Sequence, residues 1–472
     1  MTLRVVRSAT GQITEQEVSE SDITVAPPGY SIMEGTYYKS IAKDAPCLPY
    51  DALVCVDGSE ILTHDACGAE LSSAALGADD SSELAAAAAL GTVFLKKFSG
   101  SYTLDTKIPV PVNGCIDSDG AQLDVTGLDD IVFDFAEGYP TAKRQFIRNI
   151  TATGLGTNTN TMLCRFQNNP YEVRAENLHG VNLCNFIHIL GNCYLARIDN
   201  CHTSGPISGG VPIKLAGSAR YPAFGPNGAA LTDVSIQSSD AVASPLTILD
   251  AADVIIHGLW IEGVFANGIQ IERSKCHIDG GVLSHVGNAS FVSSVVRIRD
   301  AYIRSWTPIV NGGSLTLSDC NIDHAGLVYT AHVAGNANYI NIHDNEIKAN
   351  GSTPVIYLSS GVNIKSLKLH HNAIAGGNSE RGGLIISMPS DSSIDRFMMD
   401  RNDCSNMGFD GADFIKVYPG RNIIEANIFD DVLMGETGHL IKSFGGTVFK
   451  SNIIDNCTGL YQFNEADETD TI

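Results

Sequence analysis

Cationic side chains are scarce in this chain. Lys and Arg number 30 against 53 Asp and Glu, for a formal net charge of −23 over 472 residues. A surface that reads nucleic-acid phosphates needs clustered Lys and Arg, so no nucleic-acid partner is expected. An acidic polysaccharide would have to be held by local basic groups. No apolar run is long enough to span a bilayer, and the start, Met1–Arg7, lacks the apolar stretch of a signal peptide. No membrane insertion is expected. The 12 cysteines include no CxxC pair and no metal-ligand spacing, so neither a metal nor another cofactor is expected. Several cysteines fall at regular positions inside apolar segments, which points to buried thiols in place of a disulfide framework.

What the chain does have is 46 glycines and a repeat. Ten-residue segments line up at Val254–Gly263, Cys276–His285, Val296–Ser305, Leu315–His324, Ile340–Ala349, Leu367–Gly376 and Phe397–Asn406, with two more around Ile424 and Phe449. Their spacing of roughly 19 to 30 residues is that of solenoid coils. One apolar column runs Ile256, Ile278, Ile298, Leu317, Ile342, Leu369, Met399, Ile424, Phe449. A second, five residues later, runs Ile261, Leu283, Ile303, Ile322, Ile347, Ile374, Cys404, Phe429, Ile454. Side chains alternate across a strand, so both columns should face inward and stack. Between them lies Leu259, Gly281, Ala301, Cys320 and then Asn345, Asn372, Asn402, Asn427, Asn452, where the chain should bend and asparagine would take the left-handed conformation. A leucine-rich repeat fails on the variable repeat length and the missing LxxLxL frame. A β-propeller needs longer periods and four strands per blade.

Upstream, Asp80 and Glu83 form a capping-box-like pair at the start of an Ala-rich helix that Gly91 ends. Around it stand Gly77-Ala-Asp-Asp80, Gly91-Thr-Val-Phe94, Gly100-Ser-Tyr-Thr-Leu104 and Ile108-Pro-Val110. In these motifs the chain resembles bacteriophage tailspikes and related pectate-lyase-superfamily proteins, over residues from about 77 to 460. The asparagine run resembles the asparagine ladder of the same β-helices.

The resemblance implies an all-β, right-handed, single-stranded parallel β-helix. It divides the chain into an N-terminal virion-attachment domain (1–75), a capping helix and lead-in (76–115), the β-helix (116–460) and an acidic tail (461–472). It further implies a homotrimeric tail protein of the virion, assembled in the host cytoplasm and held to phage tail or adaptor proteins through its N-terminal domain. Such a protein would recognise and cleave a bacterial surface polysaccharide, capsule or O-antigen, during host adsorption, either as a glycoside hydrolase with paired carboxylates or, on a uronic polymer, as a lyase by β-elimination, in which Arg297, Arg299, Arg304 or Lys348 would neutralise the sugar carboxylate. A non-catalytic receptor-binding or structural tail protein is the alternative. A secreted pectate-lyase-like enzyme should show a signal peptide and clustered calcium-binding aspartates, and neither is seen.

The alignment also gives the outward positions after the bend. Trp260, Tyr302 and Glu346 share one column, and Glu262, Arg304, Asp323 and Lys348 share the next. Coils stack about 4.8 Å apart and two residues along a strand cover about 6.6 Å, so Asp323 and Glu346 should lie roughly 8 Å apart. That separation suits an inverting glycosidase pair. Asp323, Glu346 and Glu262 are therefore the candidate catalytic carboxylates, and Trp260, Tyr302, Arg304 and Lys348 the candidate substrate-binding groups. Against this, Arg304, Asp323 and Lys348 in successive coils also form an ordinary surface ion ladder. Asp250, Asp253, Glu272 and Asp319 are weaker candidates. His257, His343, His370 and His371 suit stacking or solvated roles, and Ser204–Gly228 is expected to protrude as a loop.

Overall fold

The computed structural model describes residues 50–463 apart from 78, 139–143, 170–171, 206–208, 221, 243, 285–287, 325–328, 350–352, 377–383, 410–412, 418–420, 435–438, 444–446 and 459, together with the backbone of four strands before residue 50. Those four strands, Leu3–Arg7, Glu17–Val18, Ser31–Glu34 and Tyr37–Tyr38, form an antiparallel sheet of their own. Most of the acidic tail, Ala78 of the lead-in motif and Tyr221 of the expected loop lie outside the described residues.

The chain divides into two compact units, residues 1–213 with 218–221, and 214–217 with 222–472. Both are built from parallel coils. In the second unit a coil has three strand segments. Ala331–Gly335 is followed by Ala337–His343 and Glu346–Ala349, and each pairs in parallel with its counterpart one coil later, at Ile356–Leu358, Asn363–His370 and Ala373–Gly376. The three segments define three sheet faces, called here the first, second and third in that order along the coil. The chain is a parallel β-helix, and the right-handed crossover expected of parallel strands is its chirality.

The register matches the sequence columns residue for residue. Ile256 pairs with Ile278, Ile278 with Ile298, Ile298 with Leu317, Leu317 with Ile342 and so on to Phe449. The second column is equally continuous from Ile261 to Ile454. All but Ile454 are buried. The same frame runs through the first unit, where Ile116, Ile147, Ala175 and Ile198 pair in succession.

The bend is sharper in detail than the sequence implies. The left-handed residue is the one before the asparagine column: Asp319, Asp344, His371, Arg401, Ala426 and Ser451, all at φ between 50° and 56°. The asparagines themselves point inward, and Asn345, Asn372, Asn402 and Asn427 are buried while Asn452, in the last coil, is partly exposed. Asn372 shows the pattern. Its Oδ1 accepts from the backbone N–H of Asn345 at 3.1 Å and from Asn345 Nδ2 at 2.9 Å, and its Nδ2 donates to Ile342 O at 2.9 Å and Asn402 Oδ1 at 2.8 Å. Asn345, Asn402, Asn427 and Asn452 repeat it, and Cys320 starts the ladder by donating its N–H to Asn345 Oδ1. The first unit carries a different ladder. There the left-handed residues are themselves asparagines, and Asn149, Asn177 and Asn200 hydrogen-bond in series at the surface.

The helix Ser81–Ala88 forms as expected and buries Leu84, Ala87 and Ala88 against the lead-in strands. Asp80 does not cap it. Its carboxylate is fully buried and turns away, accepting from the N–H groups of Gly77 at 3.1 Å and Thr103 at 2.8 Å, so it ties the helix start to the lead-in strand. Within Ser204–Gly228, Ile213–Ala216 is a strand with Ile213 and Leu215 buried, which replaces the continuous protruding loop. Among the described residues nine cysteines are buried thiols, and burial raises Cys55 and Cys115 to about 11 and Cys193, Cys201 and Cys276 to about 12.

Asn372→Ala leaves buried amide and carbonyl groups of two neighbouring coils without partners, which costs about 2–4 kcal/mol. Asn177→Ala, at the exposed ladder, costs less than about 1 kcal/mol. Urea-unfolding midpoints of the two variants check this, and equal losses would contradict it.

Candidate functional site

The third face, after the bend, carries the residues singled out from sequence. Trp260, Val282, Tyr302, Asn321 and Glu346 pair in succession, as do Glu262, Ser284, Arg304, Asp323 and Lys348. Each of these side chains alternates with the inward columns, which is why the face exists at all. Trp260 is 44 % exposed, and its indole Nε1 donates to Glu262 Oε2 at 3.1 Å. Arg304 Nε stands 3.7 Å from Asp323 Oδ2. Asn321 Nδ2 donates to Glu346 Oε2 at 3.4 Å.

The pairing brings Asp323 and Glu346 together on adjacent coils, since Asn321 pairs with Glu346 and Asp323 with Lys348. Their Cβ positions thus lie on a diagonal of about 8 Å. It leaves Glu262 apart from them. Glu262 reaches Asp323 only through Ser284 and Arg304, three coils or about 14 Å away. Arg304 and Lys348 flank Asp323 in its own column. Of the weaker carboxylates, Asp250 is held by Arg273 at 2.6 and 2.8 Å, and Asp253 by Lys275 at 2.6 Å.

The second face, before the bend, carries Arg297 and Arg299, which the sequence offers as partners for a sugar carboxylate, in a setting that the aligned columns do not show. Two outward columns run beside each other, Ile255–His277–Arg297–Thr316 and His257–Asp279–Arg299–Ser318. Between them opens a groove of about 300 Å³ over the buried Ile278 and Ile298. Arg299 grips Asp279 with two bonds of 3.0 and 2.8 Å, and His257 Nδ1 lies 3.5 Å from the same carboxylate. Further along this face the His343 and His370 rings stack at 4.8 Å, 5° from parallel, with His371 edge-on to His370. Among the described residues no cluster of His, Cys, Asp and Glu has the arrangement of a metal site.

On the first face Tyr329, His332 and Tyr357 form a half-buried aromatic cluster, with the two tyrosine rings stacked at 5.1 Å. This cluster is not legible from the repeat, because Tyr329 and Tyr357 belong to segments outside the aligned ten-residue units.

No protein-family model and no curated protein matches the chain. Several solved structures are similar to the chain at low identity. The A-module of a mannuronan C-5 epimerase from Azotobacter vinelandii is 13% identical, over 81% of this chain and 95% of that one, with a TM-score of 0.42. Tailspike protein 3 of bacteriophage CBA120 is 13% identical, over 82% of this chain and 60% of that one, with a TM-score of 0.39. A mutant tailspike of Escherichia coli bacteriophage HK620, in complex with a pentasaccharide, is 8% identical, over 80% of this chain and 75% of that one, with a TM-score of 0.37. The chain's own strand pairing carries the fold, and the site is argued from its residues. Among the described residues no helix is long and apolar enough to cross a membrane.

The candidate carboxylate Asp323 is followed by His324, which alternation turns into the core. Its Nε2 shares a 2.8 Å hydrogen bond with Thr330 Oγ1, and burial pushes the imidazole down to about 4. In the unfolded chain an imidazole titrates near about 6.5. Between those values the unfolded state takes up a proton that the folded state refuses. Stability is therefore complete above about pH 6.5 and falls as the pH drops toward about 4, by at most about 3 kcal/mol from this group. Unfolding midpoints measured across that window fall with acid, and His324→Gln flattens the slope.

Proposed function

We propose that the protein is a tailspike-like adhesin of a phage tail that holds a bacterial surface polysaccharide, capsule or O-antigen, along the third face and hydrolyses it there. The observation that carries this reading is the register. It sets an exposed Trp260, Tyr302 two coils on, and the Asp323–Glu346 diagonal on one continuous face. Aromatic side chains offer apolar faces and polar tips to sugar rings. A Cβ diagonal of about 8 Å is compatible with a carboxyl separation that leaves room for a water molecule, as inverting hydrolysis requires.

In the proposed reaction Glu346 protonates the leaving glycosidic oxygen as the bond to the anomeric carbon breaks. Asp323, ion-paired with Arg304, takes a proton from the water that attacks from the opposite side. The products are a new reducing end, the released chain and a carboxyl pair with its protons exchanged. Trp260 and Tyr302 support the sugar rings, and Arg304 and Lys348 bind its polar groups. Glu262, bonded to the Trp260 indole, orients that ring. Residues 1–75 attach the protein to the tail, and it works as a homotrimer.

The non-catalytic alternative is favoured by one observation: both carboxylates already have polar neighbours, Arg304 and Asn321. Incubation with a panel of purified capsular and O-antigen polysaccharides, followed by a reducing-end assay, decides between them. New ends are expected from at least one polymer, with Asp323→Asn and Glu346→Gln each lowering the rate by about 10²–10⁴-fold. Binding without new ends would establish the non-catalytic reading, and unchanged rates in both variants would move the site elsewhere. Trp260→Ala is expected to weaken polymer binding about tenfold or more, measured by surface plasmon resonance.

A further inference from the structure

The groove on the second face is a local exception to the charge of the whole molecule. Its lining has two arginines against one carboxylate, in a chain with a net charge of −23. The charges are not equivalent. Arg299 is committed to Asp279 through both of its bonds, and one column further out Lys275 is committed to Asp253. Arg297, between these pairs, has no carboxylate partner among the described residues.

Its immediate neighbours are hydrogen-bonding groups. His277 lies one coil before it and Thr316 one coil after, each about 4.8 Å away along the column. Burial, and then the charges of Arg297 and Lys275, lower the His277 imidazole from its ordinary value. It is therefore neutral at pH 7, and adds a hydrogen-bonding nitrogen without a charge. Ile255, 44 % exposed, heads the same column and offers an apolar wall.

We propose that this groove is a binding site for a carboxylate-bearing sugar residue of the uronic-acid class, with Arg297 receiving the carboxylate, His277 and Thr316 bonding beside it, and Ile255 meeting a ring face. The guanidinium fork matches a carboxylate in two parallel bonds. A site with a single uncommitted cation accepts one negative charge. The acidic remainder of the molecule repels densely charged polyanions such as nucleic acids. The inference rests on the polysaccharide reading and narrows it, since the glycan must then contain an acidic unit that reaches the second face.

The test uses the full chain and a panel of bacterial and plant oligosaccharides of varied linkage, each prepared in its acid form and in a carboxyl-reduced form. Binding is measured by isothermal titration. The expected result is that acid forms bind, that carboxyl reduction weakens them about tenfold or more, and that Arg297→Gln does the same while Arg297→Lys retains part of the affinity. Binding that is equal for acid and reduced forms, or unchanged in Arg297→Gln, overturns this inference and leaves the polysaccharide reading standing. A panel in which neither form of any member binds overturns both. Trp260→Ala separates the faces: it weakens acid and reduced forms alike, whereas Arg297→Gln acts on the acid form alone.

Discussion

A chain that winds into coils must turn corners inside a wall of hydrogen-bonded strands, and every backbone group at the corner needs a partner. That constraint organises the second unit. One residue takes the left-handed conformation, and the next, an asparagine, turns its amide inward to serve both its own coil and the coil beside it. Each amide is satisfied only if the neighbouring coil supplies the same amide at the same height. The ladder therefore couples register to bend geometry, and a slip of one residue would break hydrogen bonds as well as turn the aliphatic columns outward.

Because inward positions are fixed so tightly, outward positions are fixed too. The same alternation that buries Ile322 and Ile347 presents Asp323, Glu346 and Lys348. The faces then differ only in what the outward columns hold. The third face carries mixed charge with an exposed tryptophan. The second carries arginine, histidine and a bound aspartate around a shallow groove. The first carries two stacked tyrosines and a histidine. Three chemically distinct surfaces arise from one backbone geometry, which is how a repetitive fold can hold ligand contacts without dedicated loops.

Much of this was legible in sequence, for a definite physical reason. From Ile256 onward the two inward columns are nearly pure aliphatic, and from Asn345 the ladder is asparagine, so the alignment predicts the inter-coil pairs of these columns. The coils at Ile147, Ala175 and Ile198 follow the same frame but lie outside the aligned segments, with Ile150, Leu178 and Cys201 after the bend. The signal that would have found them is the left-handed residue itself, Asn149, Asn177 and Asn200, one place earlier than the asparagines sought. Local spacing makes Asp80 a cap, whereas a partner from a strand more than twenty residues away claims its carboxylate. The groove escaped notice because its groups become neighbours only when the second face is considered as a surface in its own right. The Asp323–Glu346 diagonal was visible because both residues follow the bend at positions the register already fixed.

The buried cysteines carry one further consequence. Thiols such as Cys164, Cys276 and Cys404 occupy core columns with no path to solvent, and burial holds each well above its ordinary range. Oxidants and alkylating agents act on exposed thiolates, so these sulfurs can react only after the coil around them opens. Their chemical lifetime is then set by the unfolding rate of the stack and not by the redox potential of the medium. A core of this kind can pass between reducing and oxidising surroundings without changing its covalent structure.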